Sequence, residues 1–150
     1  MAAAAPEGAR CDICPLARDR AGGPVPSTGP PGGGLWVAVG EAPGAVEVQR
    51  GVPFVGPSGQ EFDRLVDRGG MPRSFWRITN VLKCRPPDKV RLEDYIGGVV
   101  RRNGDIRKEN VRRKADGMIP LPLIPDPRTC CRPSLLHDLA GARGVLGLGA

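Results

Sequence analysis

Short apolar runs separated by glycine and proline set the rhythm of this chain. Leu35 to Val39 is closed by Gly40 and has the length of a buried strand. Phe75 to Leu82 reads as a second strand, with Ile78 and Val81 for the core, and Cys84-Arg85-Pro86-Pro87 ends it sharply. Gly144 to Leu148 is a third. Between the first two, Phe62, Leu65 and Val66 fall at the i, i+3, i+4 spacing of one helix face. Ser58 with Glu61 three residues on predicts a capping box at the start of that helix, and Gly69-Gly70 predicts its end. A last helix is predicted from about Pro133 to Ala140, with Leu135, Leu136 and Leu139 inward. Strands alternating with helices predict a layered α/β domain with a mostly parallel sheet. Ala21 to Gly34 is rich in glycine and proline and reads as irregular connection, and Glu41 to Gly56 as loop. Ending on an apolar run predicts a domain that continues past Ala150.

Two stretches escape this pattern. Residues 1–10 read as a disordered tail ahead of a domain over 11–150. Residues 88–129 form a basic and then proline-rich insertion holding Arg101, Arg102, Arg107, Lys108, Arg112, Arg113 and Lys114. Such a charge run is by default a solvated, partly mobile segment. Its functional alternative is an arm that contacts phosphates.

The 150 residues carry a net charge of +6, which suits a polyanionic partner such as nucleic acid, although a generic basic surface has the same balance. No apolar run is long enough to span a bilayer, and the first residues lack the basic and apolar regions of a signal peptide. A cytoplasmic location and reduced thiols are therefore expected. Five cysteines in that setting point to metal binding rather than disulfides. Cys11-x-x-Cys14, Cys84 and either Cys130 or Cys131 supply four thiolates, enough for an iron–sulfur cluster or a structural zinc. One close pair and two remote singles is not the zinc-ribbon spacing, which favours the cluster.

The segment Gly40-Glu41-Ala42-Pro43-Gly44-Ala45-Val46-Glu47, followed by Gly51-Val52-Pro53-Phe54-Val55-Gly56, resembles the first active-site motif of the family 4, iron–sulfur uracil-DNA glycosylases. Ile78-Thr79-Asn80-Val81-Leu82-Lys83-Cys84-Arg85-Pro86-Pro87 resembles a second run of that family, and Cys131-Arg132-Pro133-Ser134-Leu135 a third. The resemblance implies a three-layer α/β/α sandwich of the uracil-DNA glycosylase type, here incomplete. It implies a 4Fe-4S cluster on Cys11, Cys14, Cys84 and Cys131, the last preferred over Cys130 because it precedes x-Pro-x-Leu. It further implies excision of uracil from uracil-containing DNA in base-excision repair, by a protein expected to be a monomer, with a processivity clamp as a candidate partner.

The residue types suit that chemistry. The enzyme must extrude a nucleotide from the stack, read its base and break the N-glycosidic bond. Phe54 is placed to stack on the base, and Asn80 to donate to uracil O4 and accept from N3–H, a pattern opposite to cytosine's. Gly40 and Ala42 complete the uracil-binding set. The backbone of Glu41 to Gly44 offers N–H groups for O2. Glu41, Glu47 and the DNA phosphates are the anionic candidates on the sugar side, with Glu41 and Glu47 the catalytic ones, and the resemblance puts Ala42 where other uracil glycosylases carry a water-activating Asp. Taken singly, Phe54 also reads as core, Asn80 as a turn residue, the two glutamates as exposed loop carboxylates, and Arg85 and Lys83 as either phosphate contacts or surface charges.

The family's later His-Pro-Ser-type loop has no counterpart, and the sole histidine, His137, reads as a surface helix residue. A catalytically silent iron–sulfur DNA-binding module, or an inactive fragment of such an enzyme, is the alternative. A zinc-stapled nucleic-acid binder is the third reading.

Overall fold

The structure is a computed structural model that describes residues 5–30 and 36–148. Three parallel strands form the sheet in the order β2-β1-β3: β1 Trp36–Gly40, β2 Trp76–Asn80 and β3 Gly144–Gly147. All three predicted strands are present, and Leu35 lies outside the described residues. Two further ladder bonds, from Val81 N–H to the Gly40 carbonyl and from Leu82 N–H to the Glu41 carbonyl, carry β2 on toward Cys84.

Alternation along β2 fixes the layers, because successive side chains point to opposite faces. Trp76, Ile78 and Asn80 face helix α3 (Pro57–Arg68), where Ala38, Phe62, Val66, Trp76 and Ile78 form one core. Arg77 and Thr79 face helix α5 (Pro127–Leu139), where both reach Asp138. Helices on both faces of a parallel sheet make the expected α/β/α arrangement. A second core gathers Cys14, Leu16, Leu82, Cys84, Tyr95, Val99, Cys130 and Cys131 around helix α1 (Pro15–Asp19). No described helix is long and apolar enough to cross a membrane.

Several elements differ from expectation. Helix α3 begins at Pro57 with Gly56 as N-cap, so Ser58 lies inside the helix and no capping box forms. Proline at the first helical position needs no N–H there, and this fixes the start instead. Residues 45–50, read as loop, form a short helix α2 (Ala45–Arg50) stopped by Gly51 in the left-handed conformation. Helix α5 starts at Pro127, capped by the Asp126 side chain on the Arg128 N–H, and carries Pro133 in its interior. Its buried face is Cys130, Cys131, Ser134 and Asp138, while Leu136 is exposed.

Of the tail expected over residues 1–10, the structure describes residues 5–10. Pro6 is buried, and Arg10 N–H donates to the Cys130 carbonyl, three residues before the proline that interrupts the ladder of α5. The insertion at 88–129 is built on regular structure. It contains a 24-residue helix α4 (Leu92–Ala115) whose Leu92, Tyr95, Ile96 and Val99 follow helical spacing, a pattern hidden by Gly97, Gly98 and Gly104. The glycine- and proline-rich stretch before β1 covers the free edge of β2: Thr28 and Ile78 exchange both backbone hydrogen bonds, and Val25 N–H donates to the Lys83 carbonyl.

Asp138 fastens these parts together. Only 4% exposed, it accepts from Lys83 Nζ at 2.5 Å and Thr79 Oγ1 at 2.7 Å on one oxygen, and from Arg77 at 2.6 Å and Ser27 Oγ at 2.7 Å on the other. Burial works against the charged carboxylate, but the bonds from Lys83, Ser27 and Thr79 outweigh it and hold Asp138 down at about 2. Its contribution is therefore complete above about pH 4, where an unstructured Asp is ionised, and fades as pH falls toward 2. Asp138→Ala leaves the buried Lys83 and the partly buried Arg77 without their anion and is expected to cost about 3–5 kcal/mol in urea denaturation at neutral pH. The gap between variant and parent is expected to narrow steadily below pH 4.

Candidate functional site

An open cavity of about 880 Å³ lies outside the carboxyl ends of β1 and β2, where parallel sheets place their ligand sites. Its walls are the Gly40–Glu47 segment, Phe54, the first turns of α3, Asn80, and Leu146 and Leu148 from the third strand. All six residues predicted for base binding and catalysis (Gly40, Glu41, Ala42, Glu47, Phe54 and Asn80) line this one space.

Gly40 and Asn80 are register partners on adjacent strands, so their side chains share a face. A methyl group on Gly40 would sit 2.5 Å from Asn80 Oδ1 and 2.6 Å from the Phe54 ring. Glycine here is what lets an amide and an aromatic ring converge. Asn80 is 3% exposed, and no side-chain hydrogen bond engages it among the described residues. Its donor and acceptor remain free for the cavity. Phe54 is backed edge-on by Phe62 at 6.0 Å, and Phe62 in turn by Trp76 at 5.5 Å.

Phe54 occupies the left-handed region, with φ of +54°, a conformation that costs a non-glycine residue stability. Arg73 holds it there. Its guanidinium donates to the Phe54 carbonyl at 2.9 Å and the Pro53 carbonyl at 2.7 Å, and pairs with Asp63 at 2.8 Å. Nothing in the linear sequence singled out Arg73; only its fork geometry in space reveals the role.

The two carboxylates sit differently. Glu41 is exposed on the cavity wall. Glu47 accepts the Gly56 N–H on Oε1 at 2.8 Å, and its second oxygen lies against Gly44, so it ties α2 to both glycine turns.

The cysteines gather on the far side of the Glu41–Gly44 loop, where Ala42 packs against their core. All five are free thiols; Cys14, Cys84, Cys130 and Cys131 are buried and Cys11 is half-buried. Burial pushes the Cys11 and Cys84 thiols up, Cys131 to about 11 and Cys130 to about 12. Cys131 lies within electrostatic reach of Cys14, Cys84 and Cys11 and receives the Lys83 backbone N–H. Next to burial, the neighbouring Cys14 is the main influence that raises Cys130. Arg20 donates to Cys84 Sγ at 3.7 Å. Among the described residues no three such side chains close on a single point, as the ligands of one ion would. Lys83, weighed as a phosphate contact, is buried on Asp138, whereas Arg85 pairs with Asp88 at the surface. His137 is half-exposed on α5, 3.5 Å from Glu7.

A family model for the uracil DNA glycosylase superfamily matches residues 26–147. The chain is 47% identical over 78 residues to a type-4 uracil-DNA glycosylase of Pyrobaculum aerophilum, which covers 52% of this chain and 39% of the relative. It is 50% identical over 52 residues to that of Archaeoglobus fulgidus (35% and 26%), and 40% identical over 85 residues to that of Sulfurisphaera tokodaii (56% and 38%). The chain thus spans less than half the length of each of these relatives.

The tightest packing behind Phe54 is at Gly59, whose added methyl would run into the Phe54 backbone. Gly59→Ala is expected to lower stability by about 1–3 kcal/mol by forcing α3 off the Phe54 turn. Gly69→Ala, with no contact closer than 3.5 Å, is the matched control. Urea denaturation of the two variants reads the difference.

Proposed function

The chain belongs to the uracil DNA glycosylase superfamily, and from that membership we propose that it excises uracil from DNA by hydrolysing the N-glycosidic bond of deoxyuridine. The observation that carries the reading is the convergence of the free Asn80 amide and the braced Phe54 ring over Gly40, in one cavity with the Glu41–Gly44 backbone.

An extruded uracil entering this cavity stacks on Phe54, an interaction of about 1–3 kcal/mol. Asn80 then meets the Watson–Crick edge, donating to O4 and accepting from N3–H. A cytosine in the same pose opposes donor to donor and acceptor to acceptor, a discrimination of roughly 1–3 kcal/mol. As the bond breaks, negative charge moves onto the base, and N–H groups of the Glu41–Gly44 loop are the nearest backbone donors for O2. Positive charge develops on the sugar. Glu41 at the cavity wall and Glu47 beneath the loop are the anions placed to favour it. Water adds its oxygen to C1′, and the departing uracil anion takes up a proton. Leu146, Leu148 and Val66 keep part of the wall apolar.

For the cofactor, the thiol set suits a 4Fe-4S cluster on Cys11, Cys14, Cys84 and Cys131. Four thiolates each binding a different iron need not meet at one point, and Cys131 is within electrostatic reach of Cys14, Cys84 and Cys11, whereas Cys130 is influenced by Cys14 and Cys131 alone among the cysteines. When bound, the cluster joins the N-terminal knuckle, the end of β2 and α5 as a structural staple. A cytoplasmic monomer acting on uracil-containing DNA, with a processivity clamp as partner, completes the reading.

The decisive measurement is uracil release from a uracil-containing single-stranded oligonucleotide by folded, brown protein. Release supports the reading. A folded, cluster-loaded chain that binds DNA without releasing uracil favours the silent DNA-binding module. Asn80→Ala is expected to remove excision, by about two orders of magnitude or more for the loss of a transition-state contact, while leaving the iron content unchanged. Cys84→Ser is expected to lose iron, read by metal analysis and the visible absorption band; full retention removes Cys84 from the ligand set.

A further inference from the structure

The basic helix α4 has no part in the cavity. Its root is anchored: Tyr95 and Val99 are buried in the cysteine core, which also packs Ala42 of the cavity loop, and Tyr95 donates to Asp19 at 2.9 Å. Beyond Val99 the helix leaves the body and runs 16 more residues to Ala115, about 24 Å.

An extended strap returns along it. The Asn103 amide exchanges two hydrogen bonds with the Ile124 backbone, both 2.8 Å. The Asn110 amide does the same with Leu121, at 2.9 and 2.6 Å, and Arg113 donates to the Ile119 carbonyl at 2.8 Å. These side-chain ladders are seven residues apart, so they mark one face of the helix. An arm pinned in this way has less freedom left to lose on binding than a loose charged loop has.

The opposite face is basic. At about 100° per residue, Arg101, Lys108 and Arg112 fall within about 30° of the direction opposite the two asparagines that hold the strap. All three are exposed. Between Arg101 and Lys114 there are seven basic residues against two acidic ones. Those two, Asp105 and Glu109, form only loose exposed pairs with Lys108 at 3.9 Å and Arg112 at 3.8 Å. The helix dipole accounts for cations in the last turn but not for Arg101 or Lys108 in the middle.

We propose that α4 and its strap form a sequence-independent phosphate-binding arm that lies along the DNA backbone beside the extruded nucleotide. The stripe from Arg101 to Arg112 rises about 16 Å, the length of about five base-pair steps at 3.4 Å each. The proposal rests on DNA being the substrate, and it locates where affinity for undamaged flanking DNA resides.

The test titrates a fluorescent, uracil-free duplex with the purified chain over a series of salt concentrations. The variant R101Q/K108Q/R112Q is expected to flatten the log–log salt slope by about one per residue, about three in all, and to weaken binding about tenfold or more at low salt. The variant D105N/E109Q is expected to tighten binding, a direction that misfolding does not produce. R143Q removes a cation before β3, at the end of the sheet away from the cavity, and is expected to leave the slope unchanged. Parental behaviour in both arm variants overturns the proposal and makes the exposed Val111, Ile119, Leu121 and Leu123 side of the arm the working face for a protein partner. A change in R143Q equal to that of one arm residue overturns it too, since net charge alone would then suffice. Uracil-free DNA keeps the two readings separate: arm effects without uracil release sink the glycosylase reading and leave the arm standing.

Discussion

A single buried carboxylate holds the layers of this protein in register. Asp138 projects from α5 onto the face of β2 that α3 does not use, and there it takes both cations of that strand's neighbourhood, Arg77 and Lys83, with two hydroxyls filling its remaining lone pairs. An ion cluster so well hydrogen-bonded is tolerated in a core because no charge in it is left without a partner. It also has a geometric effect. Lys83 directly precedes Cys84 and donates its backbone N–H to Cys131, while Thr79 directly precedes Asn80. One side chain thus sets the helix that carries Cys131 against the strand that carries Asn80.

The cavity depends on a second constraint, the small size of Gly40. Two side chains from different elements, Asn80 and Phe54, approach across the space a methyl group would fill. The approach is then made rigid from behind. Arg73 grips the carbonyls of Pro53 and Phe54, Gly59 lets α3 come against the same turn, and Phe62 and Trp76 support the ring in sequence. Preorganisation of this kind leaves the cavity-facing groups little to rearrange when a ligand enters.

The sequence announced much of this, and the misses have specific causes. The strands were readable because their apolar runs are short and bounded by glycine and proline. The cavity residues were readable because Gly40–Glu47, Pro53–Gly56 and Asn80 fall in recognisable runs. Arg73 was not, since a lone arginine in a turn looks like any surface cation until its carbonyl partners are seen. The inward face of α5 is not legible as a run of leucines, because it carries Ser134 and Asp138, and the burial of Asp138 is acceptable only with partners more than fifty residues away in sequence. Helix α4 was hidden by its three glycines and its charge. The start of α5 is legible as Asp126-Pro127, a cap followed by proline at the first helical position, and the later Pro133 offers a competing start.

The strap across β2 has a consequence for assembly. Thr28 pairs with Ile78 on the outer side of β2, so the hydrogen-bonding groups of that flank are already engaged. The described sheet ends on its other flank at β3, whose Val145 and Leu146 are exposed. The sheet is therefore lopsided in what it can accept: a new strand finds a template beside β3, whereas beside β2 it would first have to displace a segment already in place. Extension of this sheet, by whatever polypeptide, is one-directional.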